Sequence, residues 1–214
     1  MIQGMPRPLG DADFDARYYA TGCGRPYGRD QVWLDFFGRI ADRIVSDIRP
    51  GRTLDAGCAW GLLVDALRTR GIDAHGFDIS SYAMTQVPLS SRPYCWRASA
   101  TDEIEGRYDL IICMEIFPHL TVEDGHAAIA NFCRHTDTLL FSSSPADPTA
   151  PRHRNALPPA YWRRVIADAG FDIDATVDMS VMTPWAALFR RNPAPRNLAW
   201  RTSALLRRLL AGGR

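Results

Sequence analysis

Residues 53–61 read Thr53-Leu54-Asp55-Ala56-Gly57-Cys58-Ala59-Trp60-Gly61, and this stretch decides the fold. A short apolar run ends in an acid and a glycine, and a helical pattern follows over 61–69. Glycine directly after a strand lets the backbone turn sharply and approach a ligand, while the helix beyond it presents free N–H groups. Asp78 closes the next apolar run, about twenty residues on, where a carboxylate can accept hydrogen bonds from both ribose hydroxyls of an adenosine cofactor.

Outward from this loop, apolar runs alternate with helical patterns. Before it, residues 30–47 carry Val32, Trp33, Phe36, Phe37, Ile40, Ala41 and Ile44 at the spacing of a helix with one buried stripe, stopped by Pro50 and Gly51. Strands are expected at 53–56, 74–78, 94–98, 108–114 and 138–142, with helices at 61–69, 81–86, 122–133 and 159–169. Two final strands are expected near 171–177 and 185–189. This is βαβ repetition, so the fold class is α/β: a doubly wound, Rossmann-like, mostly parallel sheet of about seven strands with helices on both faces. Three parts follow: an N-terminal arm and helix at 1–50 that would cover the cofactor, a core at 51–191 and a basic tail at 192–214. The long loop 143–157 is expected over the carboxyl edge of the sheet.

All 25 basic residues are arginine. The lack of lysine excludes Schiff-base and pyridoxal-phosphate enzymes, protein kinases and Walker-A nucleotide hydrolases, each of which needs a lysine amine. The formal net charge of +1 argues against a general nucleic-acid coat. It is a cancellation: residues 190–214 hold seven arginines and no acid, leaving 18 arginines against 24 acids in the first 189 residues. Residues 197–211 set leucines against arginines in an amphipathic pattern, which suits a terminal helix docked on the acidic body or a frayed end better than a membrane surface or partner protein. Cys23, Cys58, Cys95, Cys113 and Cys133 are odd in number and never spaced as C-x-x-C, as expected of core thiols in a reducing compartment. With no signal-like leader or membrane-length apolar run, the expected location is the cytoplasm.

The pattern D-x-G-x-A-x-G, with an acid two residues before the first glycine, departs from the G-x-G-x-x-G of NAD sites. It resembles the first motif of class I S-adenosylmethionine-dependent methyltransferases. Phe77-Asp78-Ile79-Ser80 is similar to their ribose-binding motif, and Ala98-Ser99-Ala100-Thr101-Asp102 sits where their adenine is met. The run from Tyr108 to Leu120, with Glu115 and His119, resembles the fourth strand and its E-x-x-x-H continuation. The resemblance spans residues 17–191. It implies S-adenosyl-L-methionine as cofactor, S-adenosyl-L-homocysteine as product, and a cofactor site at Tyr19, Asp55, Gly57, Cys58, Ala59, Gly61, Asp78, Ile79, Ser99, Ala100 and Met114. Ala59 stands where a glycine is usual, and a backbone of negative φ would accommodate its methyl group. Phe117-Pro118 replaces the commoner Leu-Glu and is expected to reshape the acceptor pocket.

The runs Tyr18-Tyr19, Cys23-Gly24, Pro26-Tyr27, residues 138–145, His153, Asn155, Tyr161-Trp162 and Pro184-Trp185-Ala186 are similar to small bacterial methyltransferases found with glycan and natural-product biosynthesis genes. The expected reaction is methyl transfer to an oxygen, or a nitrogen, of a small metabolite or sugar. His119 and His153 are the candidate bases, since an imidazole of near-neutral pKa can take the acceptor's proton. Tyr18, Tyr19 and Tyr27 are candidates for a lid. Glu115 and His119 could pair on a metal, but two ligands make no site, and none is expected. The fourth strand is not followed by the N/D-P-P-Y/F run of nucleic-acid base methyltransferases. The alternatives are cyclisation of the cofactor's amino-acid part, releasing methylthioadenosine, and an inactive cofactor-binding partner subunit.

Overall fold

A computed structural model describes residues 8–145, 152–155 and 157–193. The amphipathic pattern at 197–211 lies outside the described residues.

Seven strands form one sheet: β1 (Arg52–Ala56), β2 (Asp73–Asp78), β3 (Cys95–Arg97), β4 (Leu110–Met114), β5 (Thr138–Ser142), β6 (Phe171–Ile173) and β7 (Ala187–Arg191). Their spatial order is β3-β2-β1-β4-β5-β7-β6, with only β7 antiparallel to its neighbours. The order reverses between β1 and β4, which opens a crevice at their carboxyl ends, the place where doubly wound sheets bind ligands. The central strands are continuous apolar runs because both faces are covered, and every residue of β5 is buried.

Among the described residues six α-helices flank the sheet or its carboxyl edge: α1 (Ala16–Thr21), α2 (Gln31–Arg43), α3 (Leu62–Arg68), α4 (Ser81–Gln86), α5 (Val122–His135) and α6 (Pro159–Asp168). On one face α2 and α3 bury Phe37, Ile40, Leu62, Leu63 and Leu67 against Leu110, Ile112 and Leu140. On the other, α5 and α6 bury Phe132, Ile129, Trp162 and Ile166 against Ile111, Phe141 and Phe189. Each such side chain contributes about 1.5–3 kcal/mol on leaving water. Packing is close enough to dictate composition: a Cβ on Gly125 of α5 would sit 2.4 Å from the Trp162 indole. Caps fix the helix starts, with the Asp30 carboxylate accepting from Trp33 N at 3.0 Å and the Thr121 hydroxyl accepting from Asp124 N at 3.1 Å.

Two departures from the sequence reading concern the ends of the chain. Helix α1 is not expected from the sequence and is set by the Asp15 cap on Tyr18 N at 3.0 Å. Strand β6 stops at Ile173 because the Asp174 carboxylate turns back to accept from Thr176 N at 3.1 Å. The arm ahead of α1 is tied to the β2–α4 edge: Ser80 Oγ donates to Phe14 O at 2.6 Å and Asp11 accepts from Ser81 N at 2.6 Å.

Candidate active site

A cavity of about 410 Å³ opens at the carboxyl ends of β1, β2, β4 and β5, within the size range of small-molecule sites, and the arm and α1 lie over it. Its floor is the β1–α3 loop. Gly57 N and Cys58 N both donate to Phe77 O, at 2.8 and 2.9 Å, which folds the loop onto β2. Gly57 has φ +80°, and a Cβ there would meet Ile116 Cγ2 at 2.2 Å. No side chain fits, and the backbone is left open to the cavity. Gly61, at φ +68°, caps α3 against Cys95 and Val87 and sits behind the residues that line the cavity. Ala59 also departs from expectation. Its φ is +49°, left-handed and not negative, a conformation costing an L-residue about 1–2 kcal/mol. Ala59 N donates to Asp78 Oδ2 at 2.9 Å, which ties the strained turn to the acid.

Asp78 also accepts from Ser80 N, through Oδ1 at 2.9 Å. Burial raises its pKa, and these amides oppose the rise. Asp55 is 4 % exposed and lines the cavity, and its carboxylate makes no hydrogen bond among the described residues. Desolvation, helped by the charge of Asp78, pushes its carboxyl up to about 7. Ile79, Ser99, Ala100 and Met114 line the same cavity. The Ser99–Ala100 turn is held by Ser99 N donating to Asp102 at 2.8 Å and by Asn131 Nδ2 donating to Ala100 O at 3.1 Å. Cys58 is a buried wall residue; its contact with Cys95 and its burial hold the thiol well above the ordinary range, so it is no nucleophile. Tyr19 is buried over the loop with its ring 5.8 Å from Trp60, and Tyr18 and Tyr27 also line the cavity.

His119 and His153 both line the cavity, with ring centroids 5.5 Å apart. His119 Nδ1 lies 3.1 Å from the Arg152 carbonyl, which can only accept. That assigns the proton to Nδ1 and leaves the Nε2 lone pair, to which Tyr18 OH donates at 3.3 Å. Burial holds the imidazole down to about 4, so the near-neutral pKa expected from sequence is corrected: His119 is a neutral acceptor at pH 7. His153 Nδ1 is buried without a partner among the described residues. Arg152 Nε donates to Asp13 O at 2.7 Å, so the described part of the long loop meets the arm over the cavity. Asn155 is structural, donating to Phe117 O and Leu120 O at 2.7 and 2.8 Å. Phe117 does not reshape the pocket: it is buried in the core with its ring 4.9 Å from Trp162, and only Pro118 faces the cavity.

Glu115 is the site residue that sequence reasoning undervalued. It takes φ +59° just after β4 and places its carboxylate on the cavity wall. There it accepts from Trp185 Nε1 at 2.7 Å, from Ser144 N at 2.8 Å and from the Ser142 hydroxyl. Its position at a carboxyl strand end was a signal available in the sequence. Its partners, 27 to 70 residues away, were not. Among the described residues no three His, Cys, Asp or Glu side chains form a group able to hold a metal.

A methyltransferase domain model matches residues 27–196. The ubiquinone biosynthesis O-methyltransferase of Chromobacterium violaceum is 30% identical over 95 residues, covering 41% of this chain and 39% of that protein. Its counterpart from Burkholderia multivorans is 27% identical over 121 residues, covering 52% of this chain and 49% of its own. The chain thus matches about half the length, or less, of these relatives. Among solved structures, magnesium protoporphyrin IX methyltransferase ChlM from Synechocystis PCC 6803, with bound S-adenosylhomocysteine, shares the fold at TM-score 0.63 and 21% identity, over 82% of this chain and 97% of that one. With the strand order, the glycine loop and Asp78 in place, the match over residues 27–196 makes this chain a member of the class I S-adenosylmethionine-dependent methyltransferases.

Proposed function

We propose that this enzyme methylates an oxygen, or a nitrogen, of a small metabolite or sugar, acting in the cytoplasm in natural-product or glycan biosynthesis. The observation that carries the reading is a neutral imidazole, His119, whose unprotonated Nε2 lines the same cavity as the glycine loop and Asp78. The name of the curated relatives, O-methyltransferase, supports oxygen as the accepting atom. The five free cysteines support a reducing compartment.

The residues present fit the cofactor. Asp78 supplies a carboxylate for the ribose hydroxyls, and Ile79, Met114, Ser99 and Ala100 supply apolar walls and a backbone edge for the adenine. Gly57, Cys58 and Ala59 supply backbone that nothing but a small ligand can approach, Asp55 a carboxyl without a partner, and Tyr19 a cover. When bound, S-adenosylmethionine supplies a methyl group already activated on a sulfonium. What remains for the chain is orientation, exclusion of water and removal of one proton. The arm and α1 close over the cavity and exclude water. Arg152 O fixes the His119 tautomer, and the single lone pair on Nε2, which the Tyr18 hydroxyl occupies until the acceptor's own hydroxyl or amine takes its place, accepts the acceptor's proton, a contribution of roughly 100- to 10,000-fold. His153 is the second candidate for that proton.

The test is turnover with S-adenosylmethionine labelled in the methyl group, analysed for both cofactor products. Label in an acceptor together with S-adenosylhomocysteine supports the reading. Methylthioadenosine, or no transfer to any acceptor by protein that binds the cofactor, overturns it.

A further inference from the structure

Glu115 is not absorbed by the cofactor site, and its surroundings are chemically lopsided. Its carboxylate accepts from Trp185 Nε1, Ser144 N and the Ser142 hydroxyl, three neutral donors that hold it in one orientation. Ser142 is itself braced, its hydroxyl 2.9 Å from Thr183 Oγ1. Hydrogen bonding is thereby met, but charge is not. None of the described residues that line the cavity is an arginine, although the chain holds 25, and Glu115 forms no ion pair among the described residues. The nearest imidazole is no counter-ion, because His119 is neutral at pH 7. The second observation is His153 Nδ1, a buried atom of a residue lining the same cavity, with no partner among the described residues. A carboxylate held by neutral donors alone gains from a cation brought by the ligand. The guanidinium groups of Arg152 and Arg25 lie over the Tyr18 and Trp33 rings, at 5.2 and 5.8 Å, and neither forms an ion pair with Glu115 among the described residues.

We propose that Glu115, held by Trp185, Ser142 and Ser144, is the recognition anchor for a cationic amine on the acceptor, so that the enzyme selects amine-bearing acceptors and rejects carboxylates and phosphates. The proposal rests on the methyl-transfer reading and sharpens its substrate class. Glu115 is a specificity residue here and takes no part in moving the methyl group.

The test uses three para-substituted phenols of matched size: tyramine (cationic), para-ethylphenol (neutral) and para-hydroxyphenylpropionate (anionic). Each is titrated calorimetrically into full-length enzyme saturated with S-adenosylhomocysteine. The expected order is tyramine tightest by about tenfold or more over the neutral probe, an ion pair in a partly desolvated site, with the anion weakest. Glu115→Gln should bring tyramine within about twofold of para-ethylphenol while leaving S-adenosylhomocysteine affinity unchanged. Trp185→Phe, which keeps the carboxylate, should keep the order. An anionic or neutral probe binding tightest, no binding of any of the three, or an unchanged order in Glu115→Gln overturns the proposal. So does a Glu115→Gln protein that loses affinity for S-adenosylmethionine but not for S-adenosylhomocysteine, since that assigns the carboxylate to the cofactor's sulfonium. Failure of the methyl-transfer reading is separate: it shows as tyramine bound in the expected order with no methylated product from any acceptor.

Discussion

Asp55 and His119 set opposite pH slopes on stability, and replacing either one should expose the other. Asp55 is held at about 7 in the fold against an ordinary 3.8. Between those values the unfolded chain releases this proton while the folded chain keeps it, so stability falls as pH rises through the window. A gap of roughly three pH units at 1.36 kcal/mol each amounts to about 4 kcal/mol. His119 runs the other way, held at about 4 against 6.5. From pH 4 to 6.5 the unfolded chain binds a proton that the folded chain refuses, so stability rises with pH. Discounted for the ring's partial exposure, this amounts to roughly 2–3 kcal/mol. Asp78, raised by burial, adds to the fall that Asp55 sets, whereas the carboxylates that salt bridges and backbone amides depress, such as Asp42 and Asp174, titrate below 3.8 and stay outside the window. Urea unfolding of ligand-free protein at pH 4.5, 5.5, 6.5 and 7.5 reads the result. In wild type the rise set by His119 is offset up to pH 6.5 by the falls set by Asp55 and Asp78, and stability falls from pH 6.5 to 7.5. Asp55→Asn should rise through pH 6.5 and exceed wild type by about 4 kcal/mol at pH 7.5, helped by release of Asp78 from a like charge. His119→Gln should fall throughout. Parallel pH profiles for wild type and Asp55→Asn would refute the reasoning.

Other substitutions test the turn, the base and the core. Ala59→Gly relieves left-handed strain at a smaller entropic cost and should stabilise by about 0.5–1 kcal/mol, read as a higher urea midpoint at unchanged slope. Gly57→Ala places a methyl group 2.2 Å from Ile116 Cγ2 and should abolish S-adenosylhomocysteine binding, measured by calorimetry on protein whose far-ultraviolet spectrum is retained. His119→Gln should lower kcat by roughly 100- to 10,000-fold with little change in cofactor affinity. Gly125→Ala drives a Cβ into Trp162 and should lower Tm, by about 1–3 kcal/mol of overpacking, without changing which acceptors are used.

Much of the fold was legible because its elements are long-period patterns set by burial on both faces. The 138–142 strand and the 81–86 helix coincide with β5 and α4, and the seven-strand count holds. What escaped depends on tertiary contact. Helix α1 starts on the Asp15 cap and packs its Tyr19 over the cavity, contacts that no apolar stripe announces, and β6 ends on a side-chain turn at Asp174 that composition does not mark. The cavity gathered every expected cofactor-site residue except Gly61, because carboxyl strand ends must converge at the reversal of strand order. Conformation and charge state were not legible. The left-handed φ of Ala59 follows from its bond to Asp78, the low pKa of His119 from the loop and arm that bury it, and the hold on Glu115 from Trp185, 70 residues away.

The most direct measurement is calorimetric titration of S-adenosylhomocysteine into wild type and Asp78→Ala. The cavity at the β1, β2 and β4 strand ends predicts a single site on wild type, and a loss of affinity of tenfold or more in Asp78→Ala at unchanged fold, an ionised group losing its hydroxyl partners. Equal affinity in the two proteins, or no binding to folded wild type, would contradict it.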